Sequence, residues 1–130
     1  MNGEELFSRF EKGRLHTPGG VRDFSEIQWS KHPKFEGVEL KHLIQGAQTK
    51  EQFSYHLVRI APGKKIGLHT HATQLETHEV VEGSGFCINQ VVKIAYESGV
   101  VTIFPIGVEH EVEAGLNGLL LFAKFSPSLC

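Results

Sequence analysis

The segment Gly67-Leu-His-Thr-His-Ala-Thr-Gln-Leu-Glu-Thr-His-Glu concentrates donor side chains, with His69, His71, Glu76 and His78 close together. Imidazole nitrogens and carboxylate oxygens are the ligands that Zn, Fe, Mn, Ni and Cu share. On a strand, side chains alternate between faces, so residues two apart share a face. His69 and His71 therefore project the same way, and Glu76, His78 and Val80 form a second row. Val80 is the apolar member of that row, which directs the row to an interior. Donors on an interior face are costly unless paired, and one divalent cation pairs them together.

A further candidate is His110, which starts the row His110, Val112, Ala114 behind the turn Pro105-Ile106-Gly107. Proline presets φ there and glycine permits the tight bend. Gln74 has the same parity as Glu76 and is the alternative ligand. His78 is either a group that orients a ligand or an acid/base catalyst, or else it is simply packed near the mouth. His56 and Tyr55 lie on opposite faces of their strand, so only one faces the pocket. His16, His32 and His42 read as surface residues. The phenylalanines read mostly as core or pocket lining, and Trp29 as an anchor.

The elements that must position these groups are strands. "SEIQW", "GVELKHLI", "FSYHLVRIA", "THEVVE", "GFCIN", "VVKIAY", "VVTIF", "EHEVEA" and "GLLLFAKF" succeed one another with glycine-containing turns between most of them. "QGAQTKEQ" reads as a polar turn, and Asn89-Gln90 as a hairpin turn without the usual glycine. No segment beyond residue 25 has a convincing helical period. Residues 1–25 read as an extension, in which Leu6, Phe7 and Phe10 have helical spacing and Thr17-Pro-Gly-Gly20 ends the segment. It either packs on the body or a partner subunit, or forms a loosely ordered tail. Residues 26–130 read as one all-β domain, a sandwich or barrel.

The chain has 130 residues, enough for a single core. A net charge of −2, with both signs interspersed, gives no reason to expect nucleic acid or an acidic membrane as partner. No run of about 20 apolar residues suggests a membrane span. The N-terminus lacks the apolar stretch of a signal peptide. Cys87 reads as a buried small residue. Cys130, at the last position, is expected to be poorly ordered, so no disulfide framework and a cytoplasmic location are expected.

Two spaced motifs sharpen this reading. Gly63, five residues, His69-Thr70-His71, four residues, Glu76, six residues and Gly83 form the first. Gly99, five residues, Pro105-Ile106-Gly107, two residues and His110 form the second, with Ala114 where an asparagine is common. In these motifs, over roughly residues 36–125, the sequence resembles the cupins, specifically their small single-domain members. The resemblance implies a double-stranded β-helix, or jelly-roll barrel, with a short N-terminal extension. It implies that His69, His71, Glu76 and His110 hold one divalent transition metal per chain (Fe, Mn, Zn or Ni), with open positions for water or substrate. It also implies a small-molecule ligand and a homodimer. The favoured function is a metalloenzyme of unresolved reaction class: a dioxygenase, isomerase, decarboxylase or lyase. A non-catalytic binding or sensor module is the alternative.

Overall fold

The structure, a computed structural model, describes residues 1–130. Its elements are α1 (Gly3–Glu11), β1 (Arg14–Thr17), β2 (Gly20–Asp23), a 3-10 turn (Phe24–Glu26), β3 (Ser30–Lys31), β4 (Val38–Ile44), α2 (Gly46–Thr49), β5 (Ser54–Ile60), β6 (Lys65–His69), β7 (Leu75–Asn89), β8 (Val92–Tyr96), β9 (Val101–Phe104) and β10 (His110–Ser126).

Two long bent strands organise the barrel. Residues 110–114 of β10 lie between β6 and residues 85–89 of β7, whose other edge carries β8. Residues 119–126 of β10 lie between β5 and residues 75–83 of β7, and β9 pairs with β7 over 76–79. β4 continues from β5, and β3 from β4, every pairing being antiparallel. β7 and β10 thus pass from one sheet to the other, closing a jelly roll of the expected class.

This corrects the strand list. "THEVVE" and "GFCIN" are one strand, and so are "EHEVEA" and "GLLLFAKF". The glycines between them bend the chain without ending the pairing. Gly83 has φ 99° and Gly118 φ 71°, and the ladder shifts register between Ala114 and Leu119. "SEIQW" is not a strand. The Asp23 carboxylate accepts from the Ser25 amide and hydroxyl, which draws the chain into the 3-10 turn instead. The polar turn before β5 contains the single helical turn α2. In the β7–β8 hairpin the tip is Gln90-Val91, one residue later than the sequence suggests, and Gln90 takes the left-handed φ of 61° that glycine usually supplies.

Alternation divides the apolar residues between two compartments. Val58, Ile60, Val80, Val112 and Leu121 fill the barrel interior. Leu43, Leu57 and Phe122 point to the outer face and pack with Phe7 and Phe24. The first residues are therefore docked on this barrel. The Asn2 side chain caps α1 through the Glu5 amide, and Phe7 and Phe10 pack on Phe122. Trp29 anchors this layer: it stacks on Phe7, donates its indole N–H to Glu11 at 2.7 Å, and lies 3.9 Å beneath the Arg59 guanidinium. Thr17-Pro-Gly-Gly20 does not end the helix. α1 stops at Glu11, and this tetrapeptide is the tight end of the β1–β2 hairpin. Among the phenylalanines, Phe86 is exposed beneath the Lys93 ammonium and lies outside the core.

Candidate metal centre

His69 closes β6 and lies across from His110, the first residue of β10. β6 ends at His69, so His71 stands in the following loop and strand alternation alone does not orient it. Its backbone carbonyl accepts the Gly107 amide at 2.9 Å, which ties this loop to the Pro105–Gly107 turn. The left-handed φ of 81° at Gly107 aims that amide, an orientation glycine takes without strain. Glu76 enters from β7, in register with Phe104 on β9 and Phe125 on β10. Ligand atoms of His69, His71, Glu76 and His110 lie within 4.8 Å of one another.

The donor set fits a cation. His69 Nδ1 lies 2.7 Å from the Gly67 carbonyl, and His110 Nδ1 3.0 Å from the Val108 carbonyl. Both Nδ1–H groups donate, which leaves each Nε2 of the neutral ring with a lone pair. Yet His110 Nε2 is 2.9 Å from Glu76 Oε1, which also approaches His71 Nε2 at 3.3 Å. Lone pairs facing one another at this distance repel unless a proton or a cation lies among them. Carbonyl-held Nδ1 groups are also the usual outer support of metal-binding histidines.

Burial alone would raise the Glu76 pKa. The electrostatic influence of His78 and the close ring nitrogens of His110, His71 and His78 outweigh it and hold the carboxyl well below its usual range. Burial lowers the His69 pKa, opposed in part by the Gly67 carbonyl. An ionised carboxylate beside a neutral imidazole is the protonation state that ligation requires.

The other residues singled out in the sequence separate clearly. His78 is only 2% exposed; its Nε2 lies 2.9 Å from Glu76 Oε2 and its Nδ1 3.0 Å from the Tyr96 hydroxyl. It does not line the cavity over the centre, and its contacts hold the Glu76 carboxylate in place. The Gln74 amide donates to the Ser128 carbonyl at 3.3 Å, turned to the C-terminal segment, and Glu76 is the group among the histidines. His56 faces inward and Tyr55 packs outward on Phe122.

A cavity of about 470 Å³ opens over the centre, with His69, His71 and Glu76 in its wall and Lys31 and Lys34 at exposed positions around it. His32 and His42, read as surface residues, also line it, and so does Cys130. The signal for His42 was parity, since Val38, Leu40 and His42 share a face of β4. Lys41 turns the other way and buries its ammonium against the Glu11 carbonyl at 2.6 Å. Cys130 is not loose: its main-chain oxygen accepts the Gly46 amide at 2.7 Å. Nothing local in the sequence announces that contact.

Buried His56 carries a pH prediction. Desolvation, with repulsion from His42 and a smaller opposing pull from Glu76, pushes its pKa down to about 3. An unfolded histidine binds its proton near 6.5. The stability tied to neutral His56 is therefore complete above about pH 6.5 and is lost as pH falls from there toward 3. The slope is at most about 1.4 kcal/mol per pH unit. Glu76 adds its own loss only below its ordinary value of 4.5. Urea midpoints of metal-free protein at pH 7 and pH 5 should differ, and His56→Gln should shrink the difference. An unchanged difference in the variant would contradict this assignment.

No protein-family model matches the chain, and no curated protein matches its sequence. Solved structures do match its fold. A predicted oxalate decarboxylase from Thermotoga maritima is 24% identical, with TM-score 0.70, over 79% of this chain and 95% of that one. An RmlC-like cupin from Shewanella frigidimarina is 16% identical, with TM-score 0.72, over 89% and 95%. The Bacillus subtilis oxalate decarboxylase, described with Mn(II) centres, is 18% identical, with TM-score 0.70, over 82% of this chain and 29% of that one.

Proposed function

The chain has the cupin fold, and we propose that it is a metal-dependent enzyme acting on a small molecule at a centre held by His69, His71, Glu76 and His110. The observation that carries this reading is the meeting of four donors from separate segments of the chain, with His69, His71 and Glu76 in the wall of an open cavity and His110 buried behind them. A bound cation with open positions would supply Lewis-acid or redox chemistry. The protein's own part is to hold the donors: Gly67 and Val108 carbonyls fix two rings, and His78 fixes the carboxylate.

Lys31 and Lys34 stand around the cavity, and Glu76 is the one acid lining it. Its ionised carboxyl lies among histidines, so the outer cavity favours an anionic small molecule. Oxalate and other small carboxylates are the first substrates to assay, since oxalate decarboxylases share the fold. Protein purified without added metal should contain transition metal, and chelation should abolish turnover of the active member of such a panel. Full turnover by metal-stripped protein would overturn the reading. A ligand that stabilises the protein without being consumed would favour a sensor.

The same reading includes a barrel domain beginning near residue 26, a cytoplasmic location and a homodimer. Both cysteines are free, which suits a reducing compartment. Val92 on β8 and Val101 and Ile103 on β9 are exposed and offer a dimer surface. Light scattering should report twice the monomer mass at micromolar concentration, and a monomer would remove the dimer from the proposal.

A further inference from the structure

We infer that His42, His56 and Cys130 form a second metal site, separate from the His69 centre, that takes zinc or a cation of the same thiophilic class. Ligand atoms of the three residues lie within 4.8 Å of one another. His42 comes from β4, His56 from β5 and Cys130 from the segment after β10, so the cluster is a tertiary construction. Two imidazoles and a thiolate are a donor set that zinc accepts, with a fourth position left open. His42 and Cys130 line the cavity, so that position faces the solvent-accessible side.

The cluster is built rather than fortuitous. His56 is fully buried, and its Nε2 lies 2.7 Å from the Ser54 hydroxyl. That contact fixes the ring and leaves Nδ1 facing the Nδ1 of His42 at 2.8 Å. Two facing imidazole nitrogens require a proton or a cation between them.

The main chain that carries the thiol is held as well. Leu129 donates its amide to the Ser54 hydroxyl at 2.8 Å, and the Cys130 main-chain oxygen accepts from Gly46. One residue earlier, the Ser128 hydroxyl donates to Glu51. Ser54 thus orients His56 and anchors the cysteine segment at once. The Phe125 ring lies between the two centres, 5.6 Å from His56 and 5.1 Å from His71.

Zn–N bonds of about 2.0–2.1 Å at tetrahedral angles need the nitrogens to separate by about 0.5 Å more than they do now. His42 can give, because it is only half-buried and β4 carries a register shift beside it. On binding, His56 keeps its proton on Nε2 toward Ser54, and His42 moves its proton to Nε2. The Cys130 thiol releases one proton to solvent, leaving a thiolate on the metal.

Cobalt(II) loading of the reduced, full-length protein tests the site, because only a thiolate ligand gives sulfur-to-cobalt charge-transfer absorption. Wild type should show that band and bind two equivalents of zinc. Cys130→Ser and His42→Ala should each abolish the band and leave one equivalent. Both residues lie on the cavity wall outside the apolar core, so both variants should fold. His69→Ala, aimed at the other centre, should keep the band, so the two sites can fail independently. Absence of the band in wild type, or its persistence in Cys130→Ser, would overturn the inference. Cys87, the one other thiol, is sealed in the barrel with its pKa pushed up to about 11, so it cannot supply the band.

Discussion

His69→Ala should lower the metal content by one equivalent per chain relative to wild type and abolish turnover while leaving the fold intact. His69 is the informative proposed ligand to remove because it is half-buried at the end of β6, with a single carbonyl hydrogen bond. His110→Ala would be ambiguous. That ring is buried and stacked on Phe104, with centroids 4.1 Å apart, so truncation also empties part of the core. Loss of an outer partner of a metal ligand commonly weakens binding about 10–100-fold. Loss of a direct ligand should exceed that, to more than about 100-fold. Elemental analysis and circular dichroism on the same sample read metal and fold together. A variant that keeps both its metal and its turnover would remove His69 from the centre.

Gly83→Ala should be among the most destabilising single-methyl substitutions in the chain. Gly83 sits at φ 99°, in the left-handed region that costs a side-chain-bearing residue about 1–3 kcal/mol. A Cβ there would also collide with the backbone carbonyl of Gly118, which cannot withdraw because Gly118 is itself held in the bend of β10. Overpacking adds about 1–3 kcal/mol. Against a typical total of about 5–15 kcal/mol, the sum is a large share. Gly99→Ala is the control: its φ is 96°, but nothing lies within 4 Å of the added carbon. Denaturant midpoints should fall much further for Gly83→Ala than for Gly99→Ala. Equal losses would mean that backbone strain alone, and not the crossing of the two bent strands, explains the glycine.

This crossing also explains why the motif spacing is informative. Gly83 lies where β7 leaves one sheet for the other, seven residues past Glu76, so motif and bend are one feature. The rows Glu76-His78-Val80 and His110-Val112-Ala114 were legible because period-two burial is local, and all six residues are buried. Strand ends were less legible. A glycine that bends a strand and a glycine that ends one look alike in the absence of the partner strand.

His42 and Cys130 show the limit most clearly. Each stands among ordinary neighbours, and each lies outside both motifs. They meet only because β4 pairs with β5 and because the segment after β10 returns to Ser54 and Gly46. His78 was visible in the sequence, but its parity said only that it faces inward. Whether an inward histidine reaches a cavity or lies behind a carboxylate depends on the depth of packing, which the Tyr96 hydroxyl settles from another strand. Alternation, turn chemistry and motif spacing act over a few residues, so the sequence by itself determined the barrel class and the interior face of the donor rows. Cavity shape, the neutral buried imidazole pair and the meeting of distant donors depend on contacts between segments far apart in the chain, and only the tertiary structure decided them.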